Sequence, residues 1–400
     1  MPRRKYAQAL FPGGRHTCLP SGQVCPLPYT CIVKLALVAD WLTTAGGAER
    51  ALAELHQLWP ESPIFTTVAK PQLPGLFDDR LIHVTPLQRF YRMIRRHQVL
   101  LPLMPRAIEG IDFHGFDVIV SSSHAVGKGI IPPSNAVHVC YCHTPMRYAW
   151  EMENQYLDDF HVPHILRRRV KRELMRLRRW DLSTARRVDA FIANSSETAG
   201  RIERIYGRTS TVIPPPVQDR FFKPALVDAK QRSSLLAVGR LVPYKRFDLV
   251  VSAANELRLP LVIVGKGQEE RRLKAMAGPT VTFRGRVTDE ELPLLYASAS
   301  AVLFPTHEDA GLVPVEAQAC GTPVIAYGKG GTLDTVIDGK TGLFFAEQTV
   351  PSLIQALQKS STIQFDPTGI REHAKQFSAE RFRERIAAEV SGAFKRFTRA

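Results

Sequence analysis

Two glutamates lie eight positions apart in the stretch "HEDAGLVPVEAQACGTPVIA", which covers residues 307–326. An ionised carboxylate accepts hydrogen bonds from two hydroxyl groups, so Glu308 could hold a sugar while Glu316 holds a ribose. An alternative stays open for Glu316, because an acidic residue in the first turn of a helix is favourable without any ligand. The spacing therefore indicates a site for a polyhydroxyl compound.

The elements that position the two glutamates can be predicted from the same stretch. The apolar residues 301–305 are typical of a buried strand, and Pro314 suits the first turn of a helix. Glu308 then lies on a loop and Glu316 in that first turn. Gly321 and the Thr-Pro pair after it would end the helix before a strand at residues 324–326. A strand, a loop and a helix N-terminus in this order form the crevice in which α/β sheets bind phosphates.

Candidate anion-binding residues follow two other predicted strands. Arg240 comes after "LLAVG" and Lys245 stands just ahead of the next helix, so the two cations could clamp a diphosphate. Gly46 and Gly47 follow the first strand and open a helix, where backbone N–H groups could cradle a phosphate. The glycine-rich turn at 328–331 could approach a ligand backbone. The alternative for the two cations is a solvated surface.

Length and composition indicate a globular chain of two or three domains, with 400 residues and 44% hydrophobic residues. No apolar stretch approaches the roughly 20 residues that a membrane span requires, and the N-terminus lacks the apolar core of a signal peptide. The six cysteines are irregularly spaced, which favours a reduced cytosol over a disulfide framework. Cys140 and Cys142 alternate along a predicted strand, where packing is a better explanation than zinc.

The net charge of +15, from 53 basic and 38 acidic residues, favours an anionic partner. Residues 165–180, "ILRRRVKRELMRLRRW", predict a basic amphipathic helix, and residues 87–105 repeat the mixture of arginine and apolar side chains. Such helices commonly lie on anionic membrane surfaces. The alternative is an arginine face in solvent whose apolar side packs into its own domain. Nucleic-acid binding is not favoured, because the common RNA-binding and zinc-finger signatures are absent.

Apolar strands alternate with helices from Ile32 onward, which predicts parallel βαβ units. The proline-rich "VIPPPV" at 212–217 interrupts them, and a second βα series follows. Thr288 and Glu291 predict a capping box in that series. We therefore expect an α/β fold of two doubly wound parallel-sheet domains with a cleft between them. The predicted segments are a disordered extension (1–30), a first domain (31–217), a second domain (218–385) and a C-terminal helix end (386–400).

The order of these motifs resembles that of the retaining nucleotide-sugar glycosyltransferases of family four, which have the GT-B fold. The resemblance covers about residues 31–390: a Gly-Gly turn, "GR" followed by Lys245, the two glutamates, "CGTPVIA" and "GLFF". Two further motifs, "SSSHAVGKG" and "YCHTPMRYAW", look like the branch that contains the mannosyltransferases of O-antigen and exopolysaccharide assembly.

The resemblance implies a role for each matching residue. Glu308 would contact the donor hexose, and His143, or as a second candidate His124, would lie near that sugar. Asp309 and Ala310 depart from the commoner Glu-Gly-Phe-Gly pattern, which affects the loop shape and so the hexose preference. The implied donor-binding residues are Gly46, Gly47, Arg240, Lys245, Gly311, Leu312 and Glu316, with Arg240 and Lys245 on the diphosphate and Glu316 on the ribose.

The resemblance also implies the substrates. A hexose, with mannose from GDP-mannose favoured, would pass from a nucleotide-sugar donor to a polyprenyl-diphosphate-linked saccharide acceptor. No Asp-x-Asp metal motif is evident in the sequence, so no metal or cofactor is expected, and the two cations would stabilise the leaving diphosphate. Three alternatives remain: a nucleotide-sugar epimerase, another GT-B enzyme such as a phosphorylase, and a non-catalytic nucleotide-sugar-binding protein.

The first domain would bind the acceptor, and its basic helix suits a polyprenyl-linked substrate at an anionic membrane surface. We therefore expect a cytoplasmic protein that is peripheral at the inner face of the plasma membrane. The residues expected to contact the membrane or the acceptor are Arg167, Arg168, Arg169 and Arg172.

Overall fold

The computed structural model describes residues 33–44, 46–70, 77, 79–151, 163–228 and 231–399. The extension predicted at residues 1–30 lies outside the described residues. By compactness the chain divides into two units. Among the described residues, the first unit comprises those up to 194 together with 198–213 and 383–399, and the second comprises those at 195–197 and 214–382. The four segment boundaries predicted above remain predictions.

The first unit contains a parallel sheet with the strand order β3-β2-β1-β4-β5-β6-β7 among the described residues. The interior strand β1 has the sequence LALVA, and every residue in it is buried, as expected for a sheet covered on both faces. The strands are β1 (Leu35–Ala39), β2 (Ile64–Thr66), β3 (Ile82–Val84), β4 (Val118–Ser123), β5 (Val137–Cys142), β6 (Ala190–Ala193) and β7 (Ser210–Val212).

Helices connect these strands. One face of the sheet packs against helices in a core that includes Val38, Ile119 and Leu177. Cys140 and Cys142 are buried on β5, which confirms their predicted placement on a strand. The helices are α1 (Gly47–Leu58), α2 (Leu87–Ile94), α3 (His97–Leu100), α4 (Met104–Glu109), α5 (Arg147–Trp150), α6 (His164–Thr184) and α7 (Ser196–Tyr206).

The second unit contains a parallel sheet with the order β10-β9-β8-β11-β12-β13. Alternate residues of its central strand enter different cores: Leu235 and Ala237 belong to one cluster, and Leu236 belongs to another. Both faces are therefore covered. The strands are β8 (Ser234–Val238), β9 (Leu261–Val264), β10 (Val281–Gly285), β11 (Ala299–Phe304), β12 (Val324–Tyr327) and β13 (Gly342–Phe345).

One of the helices that cover this sheet follows a capping box that the sequence predicts. The capping box at Thr288 and Glu291 is confirmed, because the Thr288 N–H donates to the Glu291 carboxylate at 2.9 Å and the Glu291 N–H donates to the Thr288 hydroxyl at 3.2 Å. The helices are α8 (Phe247–Leu257), α9 (Glu270–Met276), α10 (Glu291–Ser298), α11 (Leu312–Ala319), α12 (Thr332–Thr335), α13 (Val350–Ser361) and α14 (Pro367–Ala374). The long C-terminal α15 (Ala379–Arg399) follows, and from residue 383 onward it belongs to the first unit.

Two doubly wound parallel sheets, the predicted fold class, are thus confirmed. The predicted basic helix is also confirmed as α6. Residues 87–105 do not form one helix, because Arg95 takes a left-handed conformation (φ 53°) that ends α2. None of the described helices contains a segment long and apolar enough to cross a membrane.

Candidate functional site

In the second unit, four of the predicted site residues follow the two strands at which the chain changes direction. The chain runs from β8 outward to β9 and β10, then returns to the other side of β8 as β11. In open α/β sheets, ligands bind at the carboxyl ends of such neighbouring strands. Arg240 and Lys245 follow β8, whereas Glu308 and Glu316 follow β11. The fold therefore brings two cations and two carboxylates to one edge of the sheet.

Lys245 and Glu308 form a direct ion pair. The two side chains are 12% and 21% exposed, so they are largely withdrawn from solvent. Burial, and then the nearby charge of Arg240, lower the pKa of Lys245 to about 8. The lysine is consequently still mostly protonated at neutral pH, but its charge is lost over a moderate rise in pH.

Arg240 is exposed, and its guanidinium donates to the Tyr244 hydroxyl at 2.8 Å. The hydroxyl of Thr306 donates to the Tyr244 carbonyl oxygen at 3.3 Å, which ties the loop after β8 to the loop after β11. This arrangement holds one cation at the surface and the other against a carboxylate. An exposed guanidinium retains its geometry for a bidentate contact with phosphate oxygens.

Glu316 does not lie in the first turn of its helix, and that prediction is wrong. The helix begins at Leu312, directly after Gly311 (φ 67°), so Pro314 is its third residue and Glu316 its fifth. A first-turn acid therefore cannot explain this glutamate. Its side chain is buried, and the hydroxyl of the fully buried Tyr296 donates to the carboxylate Oε2 at 3.0 Å.

The glycine-rich turn 328–331 packs against the loop that carries Glu308. The Gly331 N–H donates to the Glu308 carbonyl oxygen at 3.0 Å. Gly330 has a φ of 75°, and a Cβ added there would overlap the same carbonyl oxygen. Close approach to this neighbouring loop therefore accounts for the glycines that the sequence suggested for contact with a ligand.

The first unit has an equivalent position between β1 and β4, which are neighbours although other strands separate them in sequence. His124 follows β4, and its Nδ1 lies 3.0 Å from a carboxylate oxygen of Asp40, which follows β1. Sequence reasoning missed Asp40. The signal was an acidic residue directly after a strand of five buried residues, at the same end of the sheet as His124.

The stabilisation from the ion pair between Asp40 and His124 depends on pH. Burial would raise the pKa of Asp40, but the charge and hydrogen bonds of His124 outweigh it and lower the pKa to about 2. Burial would lower the pKa of His124, but Asp40 outweighs it and raises that pKa. The stabilisation from Asp40 is present above its ordinary pKa of 3.8, and that from His124 below its ordinary pKa of 6.5. The pair is therefore most stabilising between these values.

His143 follows β5 and has different surroundings. Its Nε2 lies 2.8 Å from the Ser122 hydroxyl, and the Tyr141 ring packs edge-on against it with centroids 5.0 Å apart. Burial, with the charge of His124 as a second cause, lowers the pKa of His143 to about 3. The ring centroids of the two candidate histidines are 6.2 Å apart. The pKa values of these two neighbouring imidazoles are thus shifted in opposite directions.

Gly46 and Gly47 open α1, as predicted. The Gly46 N–H donates to the Glu49 carboxylate at 3.0 Å. Burial raises the pKa of Glu49. The Glu49 carboxylate thus accepts a hydrogen bond from one of the N–H groups that the sequence suggested for binding a phosphate. Phosphate binding by the two glycines remains a prediction.

The helix α6 exposes arginines together with apolar side chains. Arg168, Arg169 and Arg172 are exposed, Arg167 is half-buried, and Ile165 is 88% exposed. Farther along, Leu174 and Leu177 are buried in the core of the unit. The helix therefore packs into its own domain mainly through its later turns, whereas its first turns present both arginine and apolar side chains to solvent.

Solved structures define the class to which this fold belongs. The Anabaena protein HepE, crystallised with UDP, is 19% identical with a TM-score of 0.63 over 90% of this chain and 100% of that chain. Sucrose-phosphate synthase of Thermosynechococcus elongatus is 22% identical with a TM-score of 0.66 over 91% and 99%. The two doubly wound domains and these likenesses identify the GT-B fold.

Matches to two sequence-family models describe the class of protein more closely. Residues 45–221 match the model of Glycosyltransferase Family 4, and residues 218–378 match that of glycosyl transferases group 1. The two matches together span residues 45–378, and both are to models of glycosyltransferase families.

Curated relatives match parts of the chain. A D-inositol 3-phosphate glycosyltransferase of Geodermatophilus obscurus is 30% identical over 51% of this chain and 53% of its own length. The GDP-mannose-dependent alpha-(1-6)-phosphatidylinositol monomannoside mannosyltransferase of Mycolicibacterium smegmatis is 33% identical over 37% and 46%. The chain thus spans about half the length of the curated relatives it matches.

Proposed function

We propose that the protein is a retaining glycosyltransferase that moves a hexose from a nucleotide-sugar donor to a saccharide acceptor linked to polyprenyl diphosphate. Mannose from GDP-mannose is the favoured donor sugar, and the reaction would belong to the assembly of a cell-surface polysaccharide. The observation that carries the proposal is the convergence of Arg240, Lys245, Glu308 and Glu316 at one edge of the second sheet.

Each of these groups suits one part of a nucleotide-sugar. The two cations match the charge of a diphosphate, Glu316 can accept hydrogen bonds from ribose hydroxyls, and Glu308 can accept them from a hexose. The preference for GDP-mannose draws on the Mycolicibacterium relative, whose name gives GDP-mannose as its donor. The inositol-phosphate glycosyltransferases among the relatives make other donors an outcome to be tested.

The proposed chemistry places most of the catalytic effect on the leaving group. As the glycosidic bond to the donor breaks, negative charge develops on the departing diphosphate, where Arg240 and Lys245 would stabilise it. No metal ion or cofactor is part of this proposal. In the same-face route, the acceptor hydroxyl forms the new bond to the anomeric carbon and passes its proton to the leaving phosphate. A covalent sugar trapped on the protein would contradict this route.

The direct test measures sugar transfer from a panel of donors to the proposed acceptor. Labelled GDP- and UDP-hexoses are offered with an extract of polyprenyl-linked acceptors, and lipid-bound label is measured for the wild type and for Glu308→Ala. We expect GDP-mannose to label the lipid fraction with the wild type, and we expect no lipid-bound label with Glu308→Ala. Transfer from another donor would change the proposed sugar, whereas donor turnover without an acceptor would favour an epimerase. The absence of any turnover would favour a binding protein.

The membrane part of the proposal depends on the first turns of α6. Arg168 and Arg169 are exposed beside Ile165 and Leu166, which are 88% and 47% exposed. Such a mixture suits an anionic surface, where each arginine contributes about 1 kcal/mol at low salt. We therefore propose a peripheral association with the inner face of the plasma membrane.

Replacing Arg167, Arg168 and Arg169 by glutamine is expected to weaken partitioning to anionic vesicles about 100-fold, since roughly 3 kcal/mol of attraction is lost. Co-sedimentation with vesicles of phosphatidylserine and phosphatidylcholine measures this. The matched control removes three exposed charges from the second unit by changing Arg271, Lys340 and Lys359 to glutamine. Equal partitioning of the wild type and the arginine variant would defeat the membrane proposal.

Tyr296→Phe is expected to raise the KM for the donor about tenfold, because Glu316 loses a hydrogen bond that fixes its carboxylate. Tyr206→Phe is the matched control, since the buried Tyr206 hydroxyl donates to the Asp181 carboxylate at 2.8 Å in the first unit. Both variants remove one oxygen and one bond to a carboxylate. A donor KM that rises equally in both would show a loss of stability, not of positioning.

Gly330→Ala is expected to lower kcat about 100-fold, because the new methyl group displaces the loop of Glu308 and small displacements of a reacting group are costly. Gly339→Ala separates this effect from backbone strain. Gly339 has a nearly identical φ of 74°, but a Cβ there meets no atom within 4 Å. Both variants should therefore lose about 1–2 kcal/mol of stability from the left-handed backbone. Full activity in Gly330→Ala would contradict the prediction.

A further inference from the structure

The carboxylate of Asp40 organises the segment that follows β4. Asp40 is 1% exposed, and its oxygens accept hydrogen bonds from the Ser123 hydroxyl (2.9 Å), the His124 N–H (2.7 Å) and the Gly127 N–H (2.5 Å). The His124 Nδ1 lies 3.0 Å from Oδ2. A buried carboxylate needs such partners, and here nearly all of them come from one short segment.

The same contacts fix the orientation of the imidazole. Because Nδ1 faces Asp40, Nε2 lies on the opposite side of the ring. The Trp41 ring packs edge-on against the imidazole with centroids 4.8 Å apart, which restricts its rotation. The His124 side chain is 29% exposed, in contrast to the fully buried Asp40. The carboxylate therefore contacts the imidazole from its buried side, and the imidazole remains partly exposed to solvent.

Among the described residues, four titratable groups interact electrostatically with His124. The carboxylates of Asp40 and Glu49 raise its pKa against the opposing effect of burial. The imidazoles of His97 and His143 are the other two, and burial, followed by the charge of His124, lowers their pKa values to about 4 and about 3. The pKa of His124 is thus shifted upward, whereas those of its two neighbouring histidines are shifted downward.

We propose that Asp40 is the positioning residue of His124: it holds Nδ1 so that the Nε2–H group is presented as a hydrogen-bond donor to a hydroxyl oxygen of the bound saccharide. The inference deepens the proposed function and rests on it. It also separates the two candidate histidines, because His143 is engaged with the Ser122 hydroxyl and does not share the carboxylate. Of these two histidines, His124 is the one whose Nδ1 lies against a carboxylate, which fixes the direction of its ring and favours the form protonated on both nitrogens.

The first test follows the imidazole itself and needs no activity. Protein with ¹³C-labelled histidine is titrated by NMR, and the His124 resonance is assigned by its loss in His124→Gln. We expect a midpoint above 6.5 in the wild type, and a midpoint below 6.5 in Asp40→Asn, where burial is no longer opposed by that carboxylate. Glu49→Gln, which removes the more distant carboxylate, should shift the midpoint less and in the same direction. An unchanged midpoint in Asp40→Asn would overturn the proposal.

The second test uses the pH profile of transfer. The rate of the wild type should fall as pH rises through the His124 pKa, and Asp40→Asn should move this fall to lower pH. Ser123→Ala is the control, since it removes one bond to the same carboxylate without a change of charge and should leave the midpoint of the fall in place. A uniform loss of rate at every pH in Asp40→Asn would mean that Asp40 serves the fold alone, which contradicts the proposal.

The two tests distinguish the inference from the proposed function. If the wild type transfers no sugar, the proposed function fails, and with it the role of His124 toward a saccharide. The titration would still decide whether Asp40 controls the imidazole. If Asp40→Asn does not fold, the wild-type midpoint and the smaller shift in Glu49→Gln decide in its place. A wild-type midpoint below 6.5 would then overturn the proposal.

Discussion

Lys128→Met is expected to lower the free energy of unfolding of the first unit by about 3–5 kcal/mol. The Lys128 Nζ lies 2.9 Å from the Asp181 carboxylate and donates to the Asp181 carbonyl oxygen at 2.7 Å and to the Thr184 hydroxyl at 2.9 Å. The two side chains are 3% and 0% exposed. Methionine has nearly the same volume, so the loss would come from leaving a buried carboxylate without its cation.

A carboxylate at this depth keeps only neutral donors when the lysine is gone. The Trp150 indole and the Tyr206 hydroxyl both donate to Asp181 Oδ2, each at 2.8 Å. These two bonds do not compensate a full negative charge in a medium of low dielectric. Adding Asp181→Asn to Lys128→Met should therefore recover much of the loss, because the asparagine oxygen can accept the same bonds and no charge is left unpaired.

The measurement can be restricted to the first unit, because all four tryptophans of the chain lie in it: Trp41, Trp59, Trp150 and Trp180. Denaturant titrations followed by tryptophan fluorescence then report on that unit. Arg176→Met is the matched control in the same unit, since Arg176 pairs with Glu173 at 2.7 Å but is 67% exposed. Its loss should cost less than about 0.5 kcal/mol. Equal effects of the two substitutions would contradict the prediction.

Elements with a clear apolar pattern could be predicted from the sequence, and those that depend on the fold could not. The buried runs of β1 and β5 and the periodic helix α6 have local signals that tertiary packing did not override. Glu316 was predicted in the first turn of α11 but is its fifth residue, because Pro314 indicates the first turn without fixing which position of that turn it takes.

The candidate site divides in the same way. Glu308 and Lys245 were chosen by residue type and by their place after strands, and the structure brings them into contact. The partners of other site residues come from far along the chain: Asp40 is 84 positions from His124 and Tyr296 is 20 from Glu316. Those pairings are decided by which strands and helices become neighbours. A single sequence without its topology does not contain that information.

Lys245→Met is expected to lower kcat/KM for transfer about 100- to 1000-fold, as does the loss of a preorganised group that stabilises a developing anion. The contact between Lys245 and Glu308 allows two explanations of such a loss. In the first explanation, which is the one proposed, Lys245 stabilises the leaving diphosphate. In the second, Lys245 only holds Glu308 against the hexose. Lys245→Arg keeps the charge and should retain more of the activity than Lys245→Met.

Affinity for GDP separates the explanations, because GDP carries the diphosphate without the sugar. If Lys245 binds the diphosphate, GDP affinity measured at pH 6, well below the Lys245 pKa of about 8, should fall in Lys245→Met. It should stay equal or rise in Glu308→Gln, where the lysine is released from its ion pair. If Lys245 only positions Glu308, neither substitution should change GDP affinity. In that second case the transfer activity of the double variant, Lys245→Met with Glu308→Gln, should also equal that of the more impaired single variant.

The pKa of Lys245 provides an independent check through pH. A lysine loses its positive charge as pH rises through its pKa, which here is about 8, so GDP affinity of the wild type should fall between pH 7 and 9. Arginine stays protonated throughout this range, so Lys245→Arg should remove that fall. Glu308→Gln should move it to lower pH, because the neighbouring negative charge that favours the protonated lysine is gone. A fall that persists unchanged in Lys245→Arg would assign it to another group and contradict the role of Lys245 on the diphosphate.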